Sequence, residues 1–228
     1  DDSAGVAASG SLKLTGDATA QGVITLTVAD TEVSVTAAAE DSAASLATAL
    51  AAAVNAERDL PVTAQAATGT VTLAAKNKGT LGNGIVLAYS NTVPGITPTL
   101  TAMTGGQKDP DIAEALTAVF AADYTIYCVP WAVQAPLAAL REHLDNVGGP
   151  MEQRGAIGVY ASTGTLSAAT TLAGQLNSGR ITGALLPGST TPPEQIAAAY
   201  AAVLASEEDP ARPLNTLVLT GVTVPPVA

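Results

Sequence analysis

Apolar and polar residues alternate along much of the first hundred positions, between Ser11 and Leu100. Ile24, Leu26 and Val28, for example, are separated by threonines. Such alternation places every second side chain on one face and is typical of a half-buried antiparallel strand. The pattern predicts strands at residues 24–28, 33–35, 71–73 and 85–89.

A single helical pattern interrupts these strands. Leu46, Leu50 and Val54 recur every fourth residue, which puts them on one face of a helix. Asp41 or Ser42 can cap the first turn of this helix through a side-chain oxygen. The first part of the chain is therefore predicted to be a small, antiparallel, β-rich domain covered by one helix.

Beyond a glycine-containing joint at residues 105–108, strand and helix patterns alternate. Asp109 is positioned to cap the first of these helices, which Pro110 opens and which is predicted to run to about residue 121. Thr191 and Glu194 have the spacing of a capping box at the start of the last helix, which runs to about residue 206. The other two helices are predicted from residue 136 onward and at 166–176, and the strands at 124–129, 156–161, 181–186 and 217–219.

The two patterns predict two domains of different class, α+β and α/β. Residues 1–103 form the β-rich domain with one helix. Residues 104–228 form a mostly parallel α/β sheet with helices on both faces, because alternating strands and helices favour right-handed crossovers.

Composition narrows the function. The formal net charge is −11, which argues against nucleic acid or an anionic membrane as a partner, because a surface this acidic repels phosphate. Aromatic residues make up only 3% of the chain, so few stacking platforms exist for bases or sugars. Cys128 is the only cysteine, which excludes an internal disulfide and a multi-cysteine zinc site.

Ligands of open α/β sheets bind beyond the carboxyl ends of the strands, where this chain has three loops. They contain Pro130 and Trp131, residues 162–165, and residues 187–191. The second and third precede helices, whose N–H groups can bind an anion. We favour a structural role for both, because neither contains Lys or Arg and because Ser, Thr and Gly are common in short loops. For Trp131, a protein contact and coverage of the core are equally favoured.

Two further motifs resemble ligand sites. Residues 79–84 have two glycines at the spacing of a phosphate-binding loop, but Ile85 and Val86 replace the required Lys and Ser/Thr. This run is predicted to be a turn that tolerates positive φ. Asp109, Asp111 and Glu114 form an acidic cluster, which suits the first turn of a helix and lacks calcium-loop spacing.

Two single side chains complete the candidates. His143, the only histidine, flanks an apolar helix face, and Cys128 lies in an apolar strand. Both are predicted to be structural, and Cys128 is expected to be buried and inert. The sequence therefore predicts no catalytic, cofactor-binding or metal-binding residue, no cofactor, and no enzymatic activity.

Several runs resemble the Mu-like family of contractile bacteriophage tail sheath proteins. The resemblance spans nearly the whole chain, and the order and spacing of the runs are more specific than any one of them. Residues 103–106 lie at the entry to the second domain. The other runs are residues 109–112, 153–159, 164–170, 176–180, 211–215 and 217–221 in the second domain, and residues 60–64 and 75–83 in the first.

The resemblance implies a structural subunit of the virion tail that is assembled in the bacterial host cytoplasm. Sheath subunits of this family form hexameric rings around a tail tube protein. When the baseplate triggers them, they shorten and drive the tube through the host cell envelope for genome ejection. The partners implied are neighbouring sheath subunits, the tube and the baseplate, with no nucleic acid and no membrane insertion.

The chain starts at Asp1 without a methionine and stops after a strand-like run, so we expect an internal fragment of a longer subunit. Family members have terminal arms that add strands to neighbouring sheets. Without arms, this fragment is expected to be monomeric. Two alternatives stay open: a ligand-binding or enzymatic α/β module that uses the loops after Ala161 and Leu186, and an adhesive module built on residues 1–103.

Overall fold

The structure is a computed structural model that describes residues 4–207 and 217–225. It contains two compact units, Asp1–Pro110 and Asp111–Ala228. The sequence placed a domain boundary earlier, after residue 103. Residues 104–107 pair with the first unit, since Ser9 lies opposite Thr104 and the N–H of Val6 donates to the carbonyl of Gln107.

Two antiparallel sheets form the first unit. One has the strand order β4-β5-β1-β7 and the other β3-β2-β6. Their strands are β1 Ala7–Thr15, β2 Gly22–Val28, β3 Thr31–Ala37, β4 Val62–Ala67, β5 Thr70–Lys78, β6 Leu87–Asn91 and β7 Thr97–Thr104. The sequence predicted β2, β3, β5 and β6 and did not predict β1, β4 and β7 as separate strands.

Alternation along these strands builds the core. Leu12, Leu26 and Leu73 are completely buried. On the opposite face of the larger sheet, Ser11 pairs with Thr72 on one side and Thr101 on the other. Because successive side chains of a strand point to opposite faces of the sheet, these strands place apolar side chains on the core face and hydroxyl side chains on the other face.

Helix α1, Ala43–Ala56, covers this core as predicted, with Leu46, Leu50 and Val54 buried. The sequence left two residues open as its cap, and the structure selects Ser42, whose hydroxyl accepts from the N–H of Ser45 at 3.1 Å. Asp41 instead accepts from the N–H of Ala38.

A three-stranded parallel sheet of order β10-β9-β8 forms the centre of the second unit. Its strands are β8 Ile126–Cys128, β9 Ile157–Ser162 and β10 Ile181–Leu185. The helices are α2 Ala113–Ala118, α3 Gln134–Val147, α4 Leu166–Leu176 and α5 Pro193–Ser206. The predicted combination of an antiparallel β-rich part and a parallel α/β part is confirmed.

Helices pack on both faces of this sheet. Tyr160 of the central strand joins the core formed with α3 and α4, whereas its neighbour Ala161 packs with Ile196 and Ala197 of α5. Gly158 lies beneath α3, where a Cβ atom would be 2.6 Å from Cδ2 of Leu140. Successive residues of β9 thus contact helices on opposite faces of the sheet.

Three local predictions were wrong. Residues 217–219 are not a strand, and the helix predicted from Pro110 to about residue 121 is limited to α2. The predicted capping box at α5 does not form, because Pro192 occupies the N-cap and the hydroxyl of Thr191 accepts from the N–H of Thr223. At Thr191, a hydrogen bond with a residue 32 positions away replaces the predicted local one.

Candidate functional site

The loop after β9 uses its hydroxyl groups for its own backbone. Ser162 Oγ accepts from the N–H of Gly164, and Thr165 Oγ1 caps α4 by accepting from the N–H of Ala168. These bonds hold the turn between strand and helix. Its Ser and Thr residues thus have the structural roles that the sequence favoured.

The loop after β10 is tied to the last described segment of the chain. Ser189 and Thr191 are 4% and 1% exposed, respectively. Ser189 Oγ donates to the carbonyl of Thr223 at 2.7 Å and accepts from the N–H of Thr191 at 3.2 Å. Val222 packs on the small core beside α5. The hydroxyls of Ser189 and Thr191 are buried and bonded internally, so the loop does not present them to a ligand, which counts against the alternative ligand-binding or enzymatic function.

Asp109 does not cap a helix, contrary to the sequence prediction. Its two carboxylate oxygens accept from the N–H and the hydroxyl of Thr80, at 2.6 and 2.7 Å. Nearby, Asn83 and Gly106 exchange two hydrogen bonds. Residues 105–109 are therefore fastened to the first unit, and this part of the joint is not a free linker.

The glycine-rich run that the carboxylate holds is a 3₁₀ helix, Thr80–Gly84. Gly79, just before it, has a φ of 104°, as predicted for a turn residue, and a Cβ atom there would lie 2.6 Å from Asp109 Oδ1. Gly82 has no positive φ and is needed for space, because a Cβ atom would meet Ala75 and Ala8. The run is a packed turn.

Cys128 is exposed, so the expectation of a buried thiol was wrong. It lies at the end of β8, which is an edge strand among the described residues. Partial burial of the sulfur raises the pKa of the thiol above its ordinary value. A raised pKa disfavours the thiolate at neutral pH, so low reactivity remains the expectation.

His143 lies on α3 and is 6% exposed. Its ring makes edge contacts with Phe120 and Tyr127, at centroid distances of 5.9 and 5.0 Å. Nε2 has no hydrogen-bond partner among the described residues. Burial and the nearby charge of Arg154 lower the pKa of His143 below its ordinary value, so the ring is neutral at neutral pH.

Arg154 was not predicted to matter, yet it organises the same region. It donates to the carbonyls of Phe120 and Ala122 at 2.7 and 2.8 Å and pairs with Glu152 at 2.9 Å. Its guanidinium carbon lies 5.4 Å from the centroid of the Phe120 ring. Residues 153–159 were singled out by the resemblance, but nothing in the sequence indicated that Arg154 makes these contacts.

The motif at residues 176–180 also has a structural explanation. Leu176 is buried, and its carbonyl accepts from Arg141 at the end of α4. Asn177 ends the helix with a left-handed φ of 42°. Arg180 reaches the carbonyl of Gly148. This motif, on which the resemblance partly rests, is thus a helix-terminating device.

Trp131 is half-buried against the core of the second unit, and its Nε1 has no partner within the described part of the chain.

Among residues 4–207 and 217–225, no group of three or more His, Cys, Asp or Glu side chains is arranged to bind a metal. Within the same residues, no helix has both the length and the apolarity to cross a membrane. Glu208, Asp209 and the motif at 211–215 lie outside the described residues.

No protein-family model matches the chain. The chain is similar to the Mu-like prophage FluMu tail sheath protein of Haemophilus influenzae, with 34% identity over 222 residues. The match covers 94% of this chain and 46% of that protein, so the chain spans about half the length of the curated relative. The sequence resemblance is therefore confirmed, and the chain is related over nearly its whole length to a Mu-like tail sheath protein.

Proposed function

We propose that this chain is the body of a contractile bacteriophage tail sheath subunit and has no enzymatic activity. The observation that carries the proposal is the 34% identity to a tail sheath protein over 94% of the chain. Identity at this level over more than two hundred residues supports a shared fold and a shared role in the virion tail.

The local chemistry supports a mechanical role. Asp109, Arg154, Ser189 and Thr191 use their polar groups to fasten the chain to itself. A subunit that transmits force needs units that stay rigid. The energy released on contraction is then stored in the difference between two ways in which neighbouring subunits pack. We therefore propose that both units move largely as rigid parts during contraction.

In the complete particle, the subunit forms hexameric rings around the tail tube and responds to the baseplate. Shortening of these rings drives the tube through the host envelope. Assembly takes place in the host cytoplasm. We further propose that links between subunits depend on segments outside these 228 residues, so the purified chain is monomeric.

Immunogold electron microscopy tests the proposal. Antibodies raised against this chain are applied to particles released by the strain that encodes it, with antibodies pre-absorbed on the chain as the control. We expect gold along the outer wall of extended tails and on the shortened sheath of contracted ones. Label on heads or on bare tubes, or protein found only outside particles, would contradict a sheath role.

A ligand screen tests the absence of an active site. We expect nucleotides and divalent cations to leave the unfolding temperature of the purified chain unchanged. Specific binding stabilises the folded state by mass action, and about 1 kcal/mol raises Tm by roughly 4 °C in units of this size. A reproducible rise of that order would contradict the proposal.

A further inference from the structure

Strand β4 forms one edge of the larger sheet in the first unit. Among the described residues it pairs only with β5, so one side of β4 has no neighbouring strand. The N–H and C=O groups on the free side of an edge strand can bond to a strand of another chain. An open edge of this kind is therefore a site of self-association, and most proteins close it.

The side chain of Asn55 bonds to the free side of β4. Its Nδ2 donates to the carbonyl of Ala64 at 2.8 Å, and its Oδ1 accepts from the N–H of Ala64 at 2.9 Å. One side-chain amide thus bonds both main-chain groups of one residue, as a residue of a neighbouring antiparallel strand does. Asn55 lies in the last turn of α1, and this helix packs against β4.

The register of β4 explains why one side chain is enough. In an antiparallel strand, alternate residues direct both of their main-chain groups to the same side. Ala64 directs its groups away from β5, so Val62 and Ala66 face the same way, and Ala64 stands between them. A new strand would have to bond successive members of this row. With Ala64 occupied, no neighbouring members of the row are free together.

The sequence of β4 gives its edge no other protection. Natural edge strands are commonly protected by charged side chains, proline or β-bulges. The opposite edge of the same sheet, β7, contains Pro98 and has an irregular register with β1. In contrast, β4 contains no charged residue and no proline, and its register with β5 is regular. Protection of this edge therefore depends on α1 and its Asn55.

We propose that Asn55 closes the β4 edge and prevents a second copy of this chain from pairing with it. A second copy is the partner to exclude, because it has the same uncharged edge and is present wherever the chain is. Two β4 strands can pair antiparallel about a two-fold axis, which is the commonest symmetry of protein dimers. This inference does not depend on whether the protein is a sheath subunit.

Sedimentation velocity of an Asn55→Ala variant of the full chain, measured over a range of protein concentrations, tests the proposal. Asn83→Ala is the matched control. Asn83 makes the same pair of bonds with Gly106, at 3.0 and 2.8 Å, and Gly106 lies outside the strands. Because each variant loses an equivalent pair of hydrogen bonds, a loss of stability alone should affect both similarly.

We expect Asn55→Ala to form dimers as the concentration rises, whereas the unaltered chain and Asn83→Ala sediment at a constant rate. The N–H of Ala66 should exchange more slowly in the dimer than in the monomer. Addition of Gln65→Lys to Asn55→Ala should restore the monomer, because a lysine on an edge strand opposes pairing. Position 65 is exposed, so the lysine should not disturb folding.

Hydrogen exchange of the unaltered chain gives a second measurement that needs no variant. Gln65 belongs to the alternate set of residues that faces β5. If Asn55 closes the edge, the N–H of Ala64 should exchange about as slowly as the N–H of Gln65. Rapid exchange at Ala64 would show that the edge is open.

Three results with the variants would overturn the proposal. A constant sedimentation rate for Asn55→Ala would show that α1 closes the edge without this side chain. Equal association of both alanine variants would show that lost stability, and not an open edge, causes it. Association of Asn55→Ala that Gln65→Lys does not reverse would place the contact on another surface.

Discussion

The two units of this chain bury their apolar side chains to different extents. The first encloses one core of 24 buried apolar residues beneath two antiparallel sheets and a helix. The second divides its described core into clusters of eight and three around a three-stranded sheet. Larger cores stabilise more, because stabilisation grows with the apolar area removed from water.

The two units also differ in how completely their buried polar groups are hydrogen-bonded. The three buried side-chain atoms without a partner among the described residues are in Trp131, His143 and Glu194, all in the second unit. Burial raises the pKa of Glu194, as expected for a carboxyl short of partners. Among the described residues, buried polar side chains are therefore bonded more completely in the first unit than in the second.

Truncation of one core leucine in each unit should give the largest effects. Leu73→Ala and Leu140→Ala each remove a completely buried side chain, at a cost of about 2–5 kcal/mol. We expect Leu73→Ala to lower the unfolding transition of the first unit only, and Leu140→Ala that of the second. Calorimetry measures both. A single transition that shifts in both variants would show that the units unfold together.

Added volume beneath α3 should have the next largest effect. Gly158→Ala places a Cβ atom 2.6 Å from Leu140 Cδ2 and 3.1 Å from Leu144 Cδ1. We expect a loss of about 1–3 kcal/mol in the second unit, measured by denaturant unfolding. Gly155→Ala, whose Cβ atom meets nothing within 4 Å, is the matched control. Equal losses in both variants would contradict the packing explanation.

Loss of the two hydrogen bonds between Asp109 and Thr80 should destabilise only the first unit. Asp109→Ala removes both acceptors from Thr80, and hydrogen bonds to charged groups contribute about 1.5–3 kcal/mol. Asp111→Ala, which removes an acceptor from the N–H of Ala113, is the control and should affect only the second unit. Hydrogen exchange at the N–H of Thr80 checks the result. If Asp109→Ala leaves the protection of this N–H unchanged, the hydrogen bonds to Asp109 do not stabilise the first unit.

Acidification should weaken the second unit through His143. Its folded-state pKa is lowered, so below about pH 6.5 the unfolded chain binds a proton that the folded chain does not. Stability is therefore lost as the pH falls through this value, and above it His143 contributes no pH dependence. Unfolding at about pH 7.5 and about pH 5.5 measures the difference. His143→Phe should reduce that difference, and an unchanged difference would assign it to other groups.

Strong periodicity made much of the fold predictable. The helix with Leu46, Leu50 and Val54, the helix with Leu137, Leu140 and Leu144, and α4 lie where the pattern put them. The helices α1 and α3 each bury a clear apolar face, which fixes a helix in a protein, whereas α4 buries only Leu176 among its residues. Three of the four predicted strands of the second domain form the parallel sheet for the same reason.

The candidate site was less predictable, because its geometry depends on contacts distant in sequence. Asp109 has a plain local signal for a helix cap, yet it bonds to Thr80, 29 positions away. Cys128 lies in an apolar run but at the edge of its sheet, where alternation no longer guarantees burial. His143 lies beside the apolar face of α3, but the sequence does not reveal that its buried Nε2 has no partner among the described residues.

The amino-acid sequence is thus sufficient for the class of each domain, most of the elements, the acidic character and the relation to tail sheath proteins. These properties follow from periodicity, composition and motif order, which are local or additive. The bonding of Asp109, the exposure of Cys128 and the surroundings of His143 follow from the folded chain, because each depends on which groups distant in sequence pack beside it. Propensity sets what a segment prefers, and tertiary hydrogen bonds override that preference wherever they satisfy a polar group better than its neighbours can.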